Sequence, residues 1–352
     1  MPVELVIPPG IFRVRLPLPF TPDHVNCYLL TGGQGWKVID AGLSTSDSCR
    51  YWKQAVRGLG LEWQELRAIY VTHYHPDHYG AAGWLQRQSG APVYMLSEGL
   101  EEANRAWGNY EELFANYGAF CYLHGIPDRL IDRFMANLER IAYMVYPQPL
   151  VTAIDGGGEV KIGGLSYRVL RTPGHAGGHL CLYCEQARLL FSGDHLLPAI
   201  NSNIGLWRGG ESNPLDSYLR SLRELTALPI EQVLPAHGNP FGHPNRWIET
   251  QVKHHRERLR LITRLADPGA NAYQICRRFS GRNLTGHEIQ FVFAETLAYL
   301  AYLEQAQVLE SAREKGAIFF RPGKKRYYRP NAIIKMGGDL DESCQKGRGV
   351  NA

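Results

Sequence analysis

The first 245 residues are punctuated by short apolar runs that each end at a polar side chain of a metal-binding type. Leu66-Arg67-Ala68-Ile69-Tyr70-Val71 is apolar and β-branched enough for a buried strand, and it runs directly into Thr72-His73-Tyr74-His75-Pro76-Asp77-His78. The pattern recurs: residues 165–170 lead to Pro173-Gly174-His175, 187–191 to Gly193-Asp194-His195, 231–234 to Ala236-His237-Gly238, and Val38-Ile39 to Asp40-Ala41-Gly42. An apolar run closed by glycine and a ligand-type residue is expected where several strands deliver their C-terminal ends to one site. Cys181-Leu182-Tyr183-Cys184 has the spacing of a redox motif, but no helix start follows it, so it is expected to be core strand.

Two stretches change period. Between residues 97 and 150, apolar side chains from Trp107 through Tyr117 and Phe134 to Met144 recur every three or four positions, and Gly125-Ile126-Pro127 interrupts them, which predicts two or more amphipathic helices. These helices would either cover the site and wall a pocket for an apolar acyl chain or ring, or pack on the fold or a second subunit. The loop 201–207 is a second segment placed to touch substrate. After His237 the pattern predicts a basic helix over 246–265 closed by Asp267-Pro268-Gly269, a short helix over 271–279 and a longer one over 285–305. Residues 308–312, 317–320 and 326–329 then read as a small hairpin, and 331–352, with no apolar period, as a loose tail.

Composition narrows the setting. At 352 residues the chain exceeds one ordinary domain, so a catalytic unit over 1–245 and a smaller one over 246–330 is the default. Residues 251–330 hold 15 Lys and Arg against 7 Asp and Glu, a net of +8 within a chain whose total is +4. Such a basic unit is suited to neutralising phosphates, binding an acidic cofactor or packing on an acidic neighbour. The N-terminus lacks a basic start followed by an apolar stretch, no apolar run approaches 18 residues, and seven scattered cysteines suit a reducing compartment. A cytoplasmic protein with no membrane contact is expected, and homo-oligomers are compatible with it.

His73, His75, Asp77 and His78 within six positions are a density of donor atoms that packing does not call for. Imidazole with carboxylate and no cysteine favours a hydrolytic or iron site over a structural thiolate zinc. The order Asp40, His73-x-His75-x-Asp77-His78, His175, Asp194, His237 resembles the metallo-β-lactamase superfamily of metal-dependent hydrolases over residues 8–245. The resemblance implies a mixed α/β (α+β) fold, the four-layer αββα sandwich of two sheets flanked by helices, with the site at one edge. It makes His73, His75 and His175 ligands of one divalent ion and Asp77, His78 and His237 ligands of a second, with Asp194 bridging and Asp40 orienting the histidine loop from behind. Zinc is the first expectation for both ions, and iron and manganese accept the same donors.

Two metals about 3.5–4 Å apart share a water acidified towards neutral pKa, so a hydrolase using a metal-bridging hydroxide is expected, with Asp77 orienting that water or moving its proton. Keeping His75 and lacking a flavin module sets the chain apart from oxygen-reducing relatives, and Asp194, where true β-lactamases commonly carry cysteine, argues against antibiotic hydrolysis. Glyoxalase II-like thioesterases, lactonases and RNA-processing nucleases share this ligand set. A small ester, thioester or lactone is the leading substrate class. The runner-up is a phosphodiesterase acting on RNA or DNA through the C-terminal unit, whose three helices and hairpin resemble a winged helix. His195 serves equally as a substrate contact or a packed residue.

Overall fold

The computed structural model describes residues 3–7, 10–33, 35–108, 110–198, 200–281 and 286–325. The strand expected over 326–329 and the tail 331–352 lie outside them. A seven-stranded sheet runs in chain order through β1 (Val3–Ile7), β2 (Ile11–Pro17), β3 (His24–Thr31), β4 (Trp36–Ile39), β5 (Leu66–Tyr70), β6 (Val93–Leu96) and β7 (Val151–Ile154). Its first four strands pair antiparallel, and β4 to β7 pair parallel. A six-stranded sheet holds β8 (Glu159–Ile162), β9 (Leu165–Arg171), β10 (Leu180–Cys184), β11 (Leu189–Gly193), β12 (Gln232–Pro235) and β13 (Phe241–Gly242), in the order β13-β12-β11-β10-β9-β8.

Alternation along the strands explains the stacking. In β5, Ala68 and Tyr70 point into the seam between the sheets, where Leu182, Phe191 and Leu234 of the second sheet meet them, while Ile69 and the following Val71 face the opposite side. On that outer side lie α1 (Ser46–Gly58), the single-turn α2 (Pro76–Tyr79) and α3 (Ala82–Ser89), with Trp52 and Leu85 buried against the sheet. In β10, Leu180, Leu182 and Cys184 enter the seam while Cys181 and Tyr183 face outward, so both faces are covered and the run reads as continuously apolar. The Cys-Leu-Tyr-Cys segment is core, and both thiols are free. The result is the expected four-layer αββα sandwich.

The insertion forms α4 (Ser97–Ala103), one π-helical turn over Asn104–Gly108, α5 (Tyr110–Leu123) and α6 (Asp128–Ala142), broken at Gly125-Ile126-Pro127. The second sheet's outer face is covered by α7 (Pro214–Thr226), then by α8 (Pro244–Leu265), α9 (Ala272–Ser280) and α10 (Gly286–Gln305). Asn271 caps α9, accepting from the Gln274 N–H while the Gln274 side chain accepts from the Asn271 N–H. The terminal hairpin is β15 (Leu309–Glu314) with β16 (Ala317–Pro322), and the third strand of its sheet is the short β14 (Ala270–Asn271), paired with β16. Phe134 of the insertion, Leu222 of α7, Ile248 of α8 and Leu300 of α10 belong to one continuous apolar cluster. Burial therefore runs unbroken across residue 245 and ties the C-terminal elements to the second sheet.

Candidate metal centre

Five strand ends converge at one edge of the sandwich. Asp40 follows β4 in a left-handed conformation (φ 62°) that short polar side chains tolerate, and it is buried. Its Oδ1 accepts from the Thr72 N–H at 2.8 Å, its two oxygens lie 3.0 and 2.9 Å from Thr72 Oγ1, and its Oδ2 accepts from His78 Nδ1 at 2.8 Å. Thr72 Oγ1 in turn lies 3.0 Å from His73 Nδ1. Pro76 opens α2 at its first turn and swings Asp77 and His78 round to a second face of the cluster.

The other histidines are fixed in the same way. His175 Nδ1 donates to the Asn203 carbonyl and His237 Nδ1 to the His24 carbonyl, each at 2.8 Å. With Nδ1–H turned outward, Nε2 presents a lone pair inward, a tautomer chosen by the outer partner. His175 Nε2 consequently faces His73 Nε2 at 3.2 Å and His75 Nδ1 at 2.9 Å. Facing lone pairs repel unless a proton or a cation lies among them. His73 is pushed well below its ordinary pKa by burial and then by His78 and His75, and His75 falls to about 3 by burial and then by His175.

The second face carries the acids. Asp77 Oδ2 lies 3.3 Å from His237 Nε2 and 3.6 Å from His78 Nε2. Asp194 spans the two faces: its Oδ2 is 3.4 Å from His175 Nε2, while its Oδ1 is 3.3 Å from His237 Nε2 and 3.5 Å from His78 Nε2. Burial opposes protonation of His237, but Asp194 and Asp77 outweigh it and lift that imidazole to about 10. Burial likewise would raise the Asp77 carboxyl, yet His78 and His237 hold it at about 2. Two carboxylates, Asp194 buried and Asp77 half-buried, thus draw positive charge to this face, and buried His78 Nε2 and Asp194 Oδ1 have no hydrogen-bond partner among the described residues. Neutral imidazoles on one face, carboxylates on the other and orphaned donor atoms between them fit a pair of divalent cations.

All eight residues singled out in the sequence come together here, with Asp40 touching the cluster only through His78 and Thr72. Sequence reasoning missed a second ring of support. His179, wholly buried, accepts from the Asp194 N–H at 3.2 Å while its Nδ1 lies 2.8 Å from Thr172 Oγ1. Gly193, at φ 50°, is required beside it because a Cβ there would sit 2.7 Å from His179 Nε2. Glu102 of α4 accepts from the N–H groups of Gly177 and Gly178 at 3.0 and 2.9 Å and so pins the loop bearing His175. Asn26 of β3 donates to the carbonyls of Pro235 and Gly238, clamping the His237 loop to the first sheet. The available signal was a second histidine four positions after His175, just ahead of an apolar strand. His195 is packed: buried, with Nε2 3.1 Å from Ser221 Oγ and its ring against Tyr218.

Above the cluster lies a cavity of about 400 Å³, in the size range of small-molecule sites. His75, Asp77, His175, Asp194 and His237 form its floor. Trp107, Leu138 and Ile141 of the insertion, Trp207 of the loop 201–207 and Phe291 of α10 give it apolar walls. No lysine or arginine lines it among the described residues.

A sequence profile of the metallo-beta-lactamase superfamily matches residues 20–237, and the chain belongs to that superfamily. It is 26% identical to a Bacillus subtilis (strain 168) protein named "Probable metallo-hydrolase" over 90% of this chain and 98% of that one. It is 30% identical to a Gallus gallus protein named acyl-coenzyme A thioesterase, over 66% of this chain and 79% of the other. A metallo-beta-lactamase family protein from Thermus thermophilus superimposes with a TM-score of 0.81 at 29% identity, covering 89% of this chain and 99% of that one. That coverage exceeds the span of the superfamily match by more residues than precede position 20, so the likeness extends past residue 237 into the C-terminal elements.

Proposed function

We propose that the chain is a dinuclear metal-dependent hydrolase of a small ester, thioester or lactone. His73, His75 and His175 would hold one ion and Asp77, His78 and His237 the other, with Asp194 shared; zinc is the first candidate, and iron and manganese suit the same donors. When bound, two such ions acidify coordinated water into the neutral range and polarise a carbonyl. The chain's own part is to fix the donors, to orient water or relay its proton at the cavity-facing Asp77 carboxylate, and to exclude bulk water with the apolar walls.

The observation that carries this reading is the opening of the His/Asp cluster into a cavity walled by Trp107, Leu138 and Phe291, with no lysine or arginine among its described lining residues. Such walls suit an uncharged acyl group, and the thioesterase name of one relative points the same way. The basic C-terminal charge keeps a nuclease as the second reading. Part of that charge is engaged within the protein, however: Arg258 pairs with Glu295 at 3.2 Å and lies over the Phe279 ring, and Arg278 donates to the Leu265 carbonyl at 3.0 Å. One metal-quantified preparation should be assayed against lactones, lactoylglutathione, acyl-coenzyme A and labelled single-stranded RNA, with Asp194→Ala as blank. Acyl turnover lost in the variant is the expected result; RNA cleavage lost in the variant would put the second reading first.

A further inference from the structure

The C-terminal helix α10 is joined to the site in two places. At the first, the buried Gln290 accepts from Asn137 Nδ2 of α6 at 3.2 Å and donates to the Tyr117 hydroxyl of α5 at 3.0 Å. Both ends of one amide are thus committed to the insertion, and Asn137, Gln290 and Phe291 line the cavity beside this joint. At the second, the Ala294 carbonyl of α10 accepts from the Leu206 N–H at 2.9 Å, and the Trp207 ring meets Phe291 edge-on with centroids 5.9 Å apart. The loop held there includes Asn203, whose carbonyl receives the His175 Nδ1–H.

From these contacts we infer that α10 is the specificity wall of the cavity: Phe291 sets how much acyl chain is admitted, and Gln290 is the positioning residue that fixes the distance between this wall and the insertion. The inference rests on the acyl-hydrolase reading for its substrate class but not for its geometry. It gives the C-terminal elements a role in small-molecule selection. A buried amide that satisfies two partners at once suits a fixed spacing, because displacing either helix leaves a polar group unpaired. In an apolar pocket a methylene-sized misfit changes discrimination by about tenfold or more.

The test uses full-length, metal-loaded protein and two readouts: calorimetric binding of straight-chain carboxylates from acetate to dodecanoate, and kcat/KM for the matching acyl thioesters. Phe291→Ala, with Phe291→Leu as a milder variant should the first fail to fold, should move the preferred chain length upward and raise the long-over-short ratio at least tenfold. Gln290→Leu should broaden the length profile, and Tyr117→Phe should produce part of the same change. A shifted binding profile without acyl turnover would uphold the wall and sink the hydrolase reading. Acyl turnover with an unaltered length profile, or with all lengths scaled by one factor, would overturn the wall and leave the hydrolase reading standing.

Discussion

Replacing Asp40 with asparagine isolates the support behind one face of the centre. Asparagine tolerates the left-handed backbone at this position, and its amide oxygen can still accept from the Thr72 N–H, so the fold should persist. The lost contact is that to His78: the carboxylate oxygen 2.8 Å from Nδ1 becomes an NH2 group facing an N–H donor. His78 can relieve that clash by moving its proton to Nε2, which blocks the nitrogen that faces Asp77 and Asp194. Loss of a hydrogen bond to a buried carboxylate is worth about 1.5–3 kcal/mol, the equivalent of the 10–100-fold loss of metal affinity typical of removing such outer support. Competition of Asp40→Asn against a fluorescent zinc chelator should therefore leave one equivalent near wild-type affinity and weaken the other by about 10–100-fold. Two equivalents bound within threefold of wild type would refute the argument that Asp40 sets the His78 tautomer.

Other outcomes follow from the same geometry. Asp194→Ala removes the carboxylate that spans both faces, so metal content by mass spectrometry should fall at both sites and turnover should drop to background; undiminished turnover would count against a shared role. Glu102→Ala strands one buried and one half-buried N–H group on the His175 loop and should cost about 1–3 kcal/mol in urea unfolding, with Glu102→Gln milder. The stability of the metal-free protein should depend on pH on both sides of neutrality. His237, raised to about 10, contributes stability that is complete below pH ~6.5 and is lost as pH rises through 10, whereas His75, lowered to about 3, costs stability as pH falls from ~6.5 towards 3. Thermal melts in chelator should thus peak near pH 6.5, and a flat profile would contradict the charge balance drawn here.

What could be read in the sequence was what side-chain pattern encodes locally. Apolar runs closed by glycine gave away the strand ends, Gly125-Ile126-Pro127 the break between α5 and α6, and Asp267-Pro268-Gly269 the end of α8. His73, His75, Asp77 and His78 were legible because four donors so close in sequence have few other uses. The remainder depended on contacts that the chain does not place side by side. Glu102 on a helix reads as a solvated acid until Gly177 and Gly178, some 75 residues away, bring their N–H groups to it. Gln290 and Asn137 meet across 153 residues, and nothing local marks either of them. The two-residue strand Ala270–Asn271, which pairs with β16, is too short to carry a period and left no signal in the sequence. No helix among the described residues is long and apolar enough to cross a membrane.

The proposed hydrolytic centre would need two cations, held by His73, His75, His175, Asp77, His78, His237 and the shared Asp194. The most direct measurement strips the protein with chelator, titrates zinc back and follows acyl-thioester hydrolysis against equivalents added. Activity should begin at background and reach its plateau at two equivalents per chain. Activity that survives stripping, or a plateau at a single equivalent, would contradict the account.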